Sequence, residues 1–122
     1  MAQKKTILIV DDNDDIITTY RVVLDRMGFE VAVARNGIEC LEMIGEVEPD
    51  LVLLDVLLPG LSGSEVCRSI KDTARTTDIP VIAITASVSG ETRKRMSEVG
   101  ADDFLLKPID VSDINRVIKR FL

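Results

Sequence analysis

TILIVDD, at residues 6–12, is the stretch that decides the fold, because five strand-forming residues run directly into two acids. These five residues do not alternate between apolar and polar side chains, which is typical of a strand covered on both faces. Four comparable runs follow, each after a segment with helical spacing, at residues 29–34, 50–54, 79–84 and 101–106. This alternation predicts an α/β fold with a doubly wound parallel sheet of five strands and helices on both faces.

The pattern also predicts the domain organisation and one weak helix. Residues 50–54 form the most apolar run and are expected at the centre of the sheet. The helix over residues 90–99 has the weakest apolar stripe, with only Met96 and Val99 firmly placed, so we expect it to be weakly anchored and able to move. No Pro-, Gly- or Ser-rich linker interrupts the sequence, which predicts a single domain over residues 1–122.

The composition limits the classes of partner. The net charge is -6 at pH 7, and nucleic-acid affinity rests on clustered Lys and Arg, so we expect no direct nucleic-acid ligand. No apolar run approaches the roughly 20 residues that span a bilayer, so we expect no membrane partner and, by default, a cytoplasmic location. The chain contains no His to complete a metal site with Cys40 or Cys67, so both cysteines are predicted to be buried free thiols.

Chemistry-bearing residues follow four of the five predicted strands. They are the pair Asp11-Asp12, then Asp55, Thr85 and the pair Lys107-Pro108. Parallel strands point the same way, so their carboxyl ends meet at one edge of the sheet, where such folds bind ligands. Each signal alone has a structural explanation as a helix cap, a turn or a solvated cation. Their joint placement on strands one, three, four and five favours a single site.

Three carboxylates, a hydroxyl and an ammonium at one edge indicate Mg²⁺-assisted phosphoryl chemistry. Neighbouring carboxylates repel one another unless a hard divalent cation with oxygen ligands neutralises them. Asp55 is the candidate nucleophile and would form an aspartyl-phosphate. The hydroxyl of Thr85, the backbone N–H of Ala86 and the ammonium of Lys107 would hold the remaining phosphoryl oxygens.

Other chemistries lack their residues. The absence of His excludes Ser-His-Asp, Cys-His and imidazole–zinc sites. An acidic turn at residues 10–14 stands where a dinucleotide-binding fold needs a glycine-rich loop, and its charge would repel a pyrophosphate.

The motifs resemble the receiver domain of two-component response regulators, and the resemblance covers residues 5–122. The matching stretches are ILIVDD at 7–12, PDLVLLD at 49–55, LPG at 58–60, IPVIAITA at 79–86 and GADDFLLKP at 100–108. The resemblance implies a flavodoxin-like sheet with strand order 2-1-3-4-5. It also implies a signalling module that catalyses only its own phosphorylation and dephosphorylation.

The resemblance assigns roles to individual residues. It implies that a histidine kinase or phosphotransfer protein phosphorylates Asp55. It implies that Asp12, Asp55 and the backbone carbonyl of Leu57 hold Mg²⁺, with Asp11 acting chiefly through water. Thr85 and Phe104 would form the coupled switch pair.

The resemblance also implies a cis peptide bond between Lys107 and Pro108, which X-Pro chemistry permits at modest cost. Three positions depart from the commonest family pattern. At the position of Leu57, family members often have a polar or longer side chain. At the position of Ser87, they often have an acid or amide. Both positions flank the path of the water that hydrolyses the aspartyl-phosphate, so the sequence does not predict the lifetime of the phosphoryl group. Ser62 stands where an Asp is frequent, which we interpret as loop variation without chemical effect.

The expected output is phosphorylation-dependent binding of a downstream protein, which the sequence does not name. The expected surface is made by the helix over residues 90–99, strand five and the helix over residues 110–122. The chain is expected to be a monomer or a weak dimer. A stand-alone regulator is favoured by the Met1 start, and a receiver excised from a larger protein is the alternative.

Two further alternatives belong to other functional classes. An aspartyl-phosphate phosphatase of the haloacid dehalogenase type wants a second acid two residues after the nucleophile, where this chain has Leu57. A receiver-like interaction module that is never phosphorylated is expected to lack one of the acids, the Thr or the Lys, and all are present.

Overall fold

The computed structural model describes residues 4–86 and 89–122 and contains a parallel sheet of five strands. The strands are β1 (Thr6–Val10), β2 (Glu30–Ala34), β3 (Leu51–Asp55), β4 (Val81–Thr85) and β5 (Asp103–Leu106). The helices are α1 (Asp14–Arg26), α2 (Gly37–Val47), α3 (Gly63–Asp72), α4 (Gly90–Glu98) and α5 (Val111–Phe121). Within the described ranges, no helix combines the length and apolar content needed to cross a membrane.

The strand order is β2-β1-β3-β4-β5, with every neighbouring pair parallel. This order confirms the doubly wound prediction and places β3 at the centre, as its apolar sequence indicates. The order reverses between β1 and β3, and β1 and β3 pair directly with Val10 opposite Leu54. The acidic stretches that follow β1 and end β3 are therefore neighbours at the carboxyl edge.

Each central strand supplies two hydrophobic cores because successive side chains point to opposite faces of a sheet. Leu8 and Val10 of β1 join the core beneath α2, α3 and α4. Ile7 and Ile9 join the core beneath α1 and α5. The non-alternating TILIV run thus has apolar partners on both sides, which is the reason for its composition.

Both cysteines are free and buried, which confirms the prediction from sequence. Burial raises the pKa of the Cys40 thiol to about 12 and that of the Cys67 thiol to about 11. Cys67 also donates a long hydrogen bond of 3.6 Å from Sγ to the carbonyl of Val99, at the end of α4. The thiols therefore behave as small apolar side chains of the core.

Some strand boundaries differ from the sequence prediction. Asp55 is the last residue of β3, whereas the sequence predicted that the strand ends at residue 54. The strand is longer because its pairing with β4 continues: Asp55 lies opposite Ile84, and the N–H of Val56 donates to the Ile84 carbonyl at 3.0 Å. The strand β5 begins at Asp103, not at residue 101, because the N–H of Ala101 still bonds to the carbonyl of Met96 at 3.0 Å.

A lysine of α3 fixes the amino edge of the sheet where β4 and β5 begin. The Lys71 ammonium lies 2.7 Å from a carboxylate oxygen of Asp102, and it donates to the carbonyls of Ile79 at 2.7 Å and Thr77 at 3.3 Å. The same Asp102 oxygen accepts the N–H of Val81 at 2.8 Å. This network joins α3 to the start of β4 and of β5.

The helix α4 is attached mainly at its carboxyl end. Met96 is its buried residue, and Val99, just after it, is buried as well. The amino end is capped by Ser89, whose side chain accepts the N–H of Glu91 at 3.2 Å. Met96 and Val99 are the two anchors that the weak apolar stripe predicts. The first half of α4 is exposed to solvent apart from Thr92.

Candidate functional site at the carboxyl edge of the sheet

The carboxyl edge brings together the acids that the sequence analysis singled out. One carboxylate oxygen each from Asp11, Asp12 and Asp55 lie within 4.8 Å of one another. Asp11 is 2% exposed and Asp55 is 5% exposed, whereas Asp12 faces solvent. The cluster is therefore a partly enclosed acidic pocket with an open side at Asp12.

Lys107 enters this pocket from the end of β5. Its Nζ lies 3.1 Å from Oδ2 of Asp55 and 3.6 Å from Oδ2 of Asp11. The backbone N–H of Lys107 also donates to the carbonyl of Thr85 at 2.8 Å, which holds the end of β5 against the end of β4. The peptide bond from Lys107 to Pro108 is cis.

Backbone turns fix the direction of both buried carboxylates. Oδ1 of Asp55 accepts the N–H of Leu57 at 3.0 Å, and Oδ1 of Asp11 accepts the N–H of Asn13 at 2.9 Å. Each carboxylate is therefore oriented by a hydrogen bond from the backbone N–H two residues later in the chain. Their Oδ2 atoms are the ones that face Lys107.

Burial raises the pKa of the Asp55 carboxyl above its ordinary value, and the negative charge of Asp11 acts in the same direction. The N–H of Leu57 and the ammonium of Lys107 oppose the rise, because both stabilise the charged form. Burial is the largest of these effects. Asp55 is thus a carboxylate whose charge is incompletely stabilised by the protein's own groups.

The donor set fits a hard divalent cation. Among the described residues of this pocket, there are three clustered carboxylates, and one lysine ammonium pairs with two of them. Carboxylate oxygens are the ligands that Mg²⁺ takes in proteins, usually one or two at a time together with retained waters. The solvent-facing side at Asp12 leaves room for such waters.

Gly63, the first residue of α3, lies directly against the turn that follows Asp55. A Cβ atom at this position would come within 2.7 Å of the Val56 Cα and within 3.0 Å of the Asp55 carbonyl oxygen. The N–H of Gly63 donates to the Val56 carbonyl at 3.1 Å. The absence of a side chain at position 63 therefore allows α3 to support the backbone of the candidate acceptor.

Ser62 has a structural role that the sequence analysis missed. Its side chain accepts the N–H of Glu65, and the Glu65 carboxylate accepts the Ser62 N–H, which together form a capping box at the start of α3. Our interpretation of Ser62 as loop variation was therefore incomplete. The signal was present, since Ser followed three residues later by Glu is the sequence pattern of this cap.

The hydroxyl-bearing residue lies on β4, next to the strand of Asp55, and the aromatic residue lies on β5, one strand further away. Thr85 is the buried last residue of β4, and Phe104 is half-buried on the adjacent β5. Thr85 and Phe104 both line a cavity of about 330 Å³. Ala86 follows Thr85 and is exposed. Ser87, named above for its departure from the family pattern, lies outside the described residues.

The structure also shows an aromatic contact that no sequence pattern predicts. The guanidinium carbon of Arg93 lies 5.4 Å from the centroid of the Phe104 ring. Arg93 belongs to α4, and within a helix of mixed charges nothing in the sequence distinguishes it from the adjacent Lys94. Tertiary proximity alone singles it out.

Comparison with known proteins agrees with this geometry. Residues 7–119 match the family model of the response regulator receiver domain. The polar-differentiation response regulator DivK of Brucella anthropi is 36% identical over 118 residues, which cover 97% of this chain and 96% of that protein.

Two solved structures share the fold throughout. The chemotaxis response regulator CheY4 of Vibrio cholerae has a TM-score of 0.91 and 26% identity, covering 98% of this chain and 100% of that one. The receiver domain of the sensor histidine kinase PA1611 of Pseudomonas aeruginosa has a TM-score of 0.90 and 28% identity, covering 98% of both chains, and it holds a magnesium ion in its active-site cleft. With its strand order, its acidic pocket and these matches, the chain belongs to the response regulator receiver domains of two-component signalling.

Proposed function

We propose that residues 1–122 act as one receiver domain that accepts a phosphoryl group on Asp55. The observation that carries the proposal is the position of Asp55: a buried carboxylate, backed by the N–H of Leu57, with its other oxygen 3.1 Å from the Lys107 ammonium. In the reaction, an Asp55 oxygen forms a bond to phosphorus while the bond from phosphorus to the donor breaks. The donor leaves as the imidazole of a phosphohistidine or as acetate from acetyl phosphate.

The remaining residues of the pocket position and stabilise the transferred group. Lys107 neutralises negative charge on a phosphoryl oxygen, and the Thr85 hydroxyl and the Ala86 N–H hold the other oxygens. The placement of Thr85 and Lys107 at the ends of adjacent strands, joined by the 2.8 Å backbone hydrogen bond, supports this assignment. Each of these groups acts by position and charge, without covalent chemistry of its own.

The proposed Mg²⁺ ligands are Asp12, Asp55 and the backbone carbonyl of Leu57, with Asp11 acting chiefly through water. The cluster of three carboxylate oxygens within 4.8 Å supports this set. When bound, the ion supplies screening of the negative charge between the nucleophile and the incoming phosphoryl group. The protein's part is to hold the carboxylates in place, which the N–H groups of Leu57 and Asn13 do for the two buried ones.

The proposed output is binding of another protein through the surface of α4, β5 and α5, hereafter the output face. A histidine kinase or phosphotransfer protein is the proposed phosphoryl donor. Movement of the Thr85 hydroxyl towards the phosphoryl group would leave space into which Phe104 turns, and that rearrangement would reshape the output face. The cavity shared by Thr85 and Phe104 and the limited attachment of α4 support this route.

Acetyl phosphate treatment tests the proposal. The full chain is incubated with acetyl phosphate in Mg²⁺ or in EDTA, and intact mass and acetate release are followed together. A receiver gains one slowly lost phosphoryl group, which peptide mapping places on Asp55, and gains it only in Mg²⁺. Continuous turnover without a stable adduct would indicate a phosphatase. Neither an adduct nor turnover would indicate an interaction module that is not phosphorylated.

A further inference from the structure

The contact between Arg93 and Phe104 joins the exposed half of α4 to the middle of the output face. The 5.4 Å separation of the guanidinium carbon from the ring centroid is within the range in which a cation is attracted to the face of an aromatic ring. Phe104 is half-buried, and it packs against the core beneath α2, α3 and α4. The ring thus lies between that core and the Arg93 cation.

The same two residues line the cavity that Thr85 lines. Its other lining residues are Leu105, Leu106, Asp113 and Arg116. Any turn of the Phe104 ring towards Thr85 changes its separation from the guanidinium, because Arg93 belongs to α4, a different element from β5. Movement of the ring and loss of the cation–π contact are therefore coupled.

The attachment of α4 makes this contact significant. Met96 and Val99 hold the carboxyl end of the helix, whereas Arg93 lies in its exposed half. A side-chain contact from this half to β5 restrains both the ring and the helix. We propose that Arg93 is a positioning residue that holds Phe104 in the position described here and so opposes activation; this inference rests on the proposed function.

The proposal has a measurable thermodynamic consequence. If the active state is the minor one, a phosphoryl mimic that prefers it binds with an apparent affinity proportional to the active fraction. Removing the Arg93 contact destabilises the inactive state. The apparent affinity should rise by about two- to fivefold, which is the fold-change that corresponds to an exposed cation–π contact.

The experiment titrates the full chain with beryllofluoride in Mg²⁺, by calorimetry, and compares Arg93→Gln with wild type. Lys94→Gln is the matched control, because it removes the same charge from the next residue of the same exposed surface. Beryllofluoride is anionic, so loss of a nearby cation by itself lowers its affinity. We expect Arg93→Gln to bind more tightly than wild type, Lys94→Gln to bind equally or more weakly, and Arg93→Lys, which keeps a cation, to stay near wild type.

A double-mutant cycle separates this role from a general effect on folding. In the Phe104→Leu background the ring is absent, so Arg93→Gln should no longer raise the affinity. Equal affinities of Arg93→Gln and Lys94→Gln, or an increase that persists without the ring, would overturn the proposal while leaving phosphorylation of Asp55 intact. Absence of beryllofluoride binding to the wild-type chain would overturn the proposed function, and the Arg93 role with it.

Discussion

Lys71 at the amino edge of the sheet and Lys107 at its carboxyl edge both pair with aspartates, but with different numbers of them. Lys71 has one carboxylate and two carbonyl oxygens for its three N–H donors, and Asp102 has the Val81 N–H besides. Lys107 lies beside two carboxylates, which cluster with the third. The first network has matched charges and satisfied donors, whereas the second has an excess of negative charge.

The difference shows how one fold separates stability from chemistry. A charge-matched, hydrogen-bonded pair has little further to gain from a ligand, so Lys71 and Asp102 serve the structure. An excess of carboxylates lowers stability through mutual repulsion, and binding of a cation relieves that repulsion. The excess therefore favours cation binding. The sheet thus uses the same two residue types for opposite purposes at its two edges.

The largest expected effect comes from making the same substitution at each edge. Asp55→Asn should remove phosphoryl incorporation from acetyl phosphate, because an amide is nearly isosteric with the carboxylate but is a poor nucleophile. Asp102→Asn should keep full incorporation at a temperature where the variant is folded. Intact mass after treatment in Mg²⁺ measures both, and a stoichiometric adduct on the Asp55 variant would show that another residue is the acceptor.

The next largest difference between variants at the carboxyl and amino edges of the sheet should be in Mg²⁺ binding. We expect Mg²⁺ to bind with a Kd on the order of a millimolar, because the proposed ligands, two carboxylates, one carbonyl and retained waters, would form an incomplete cage. Asp12→Ala should abolish this binding, and Lys71→Met should leave it unchanged. Calorimetric titration is the measurement, and wild-type affinity in the Asp12 variant would remove Asp12 from the ligand set.

Stability should show the opposite ranking of the two edges. Lys71→Met should lower the free energy of unfolding by about 2 kcal/mol, since a carboxylate and two carbonyls lose their donor. The corresponding fall in Tm is about 6–10 °C for a chain of this size, and it should be the same with or without Mg²⁺. Asp55→Asn should melt no lower than wild type in EDTA, because it relieves repulsion in the acidic cluster. A Tm loss for the Asp55 variant as large as for the Lys71 variant would contradict the contrast.

The smallest expected effect is in the pH dependence of stability. The folded-state pKa of Asp55 is raised, so the folded protein holds its proton to higher pH than the unfolded chain does. As pH rises from the ordinary carboxyl value to the raised one, this group therefore removes stability. In EDTA, the stability difference between Asp55→Asn and wild type should be near zero below that window and should favour Asn above it. Urea unfolding at several pH values tests this, and a difference that shrinks as pH rises would reverse the assigned direction.

The sequence was sufficient for features that depend on local pattern. The TILIV run and its counterparts predict the strands and their burial, and the residues at the strand ends predict which side chains meet, because a parallel sheet fixes where carboxyl ends lie. The Ser62 cap was also available from its spacing to Glu65 but was overlooked. Arg93 over Phe104 and Lys71 beside Asp102 could not be predicted. Such contacts join long side chains on separate elements, and the spacing of apolar residues along the sequence does not predict them.

Gly63 has a consequence for how sequence tolerance in this chain is interpreted. A Cβ there would meet the backbone of Val56 and of Asp55, so every substitution displaces the main chain of the proposed acceptor. A library selected for signalling would reject variants at position 63 as completely as variants at position 55, although Gly63 contributes no reacting group. Selection for activity cannot tell a residue that performs the chemistry from one that must leave room for it. Sorting the same library by folded abundance as well should separate the two, because we expect Asp55→Asn to keep the fold and a side chain at position 63 to strain it.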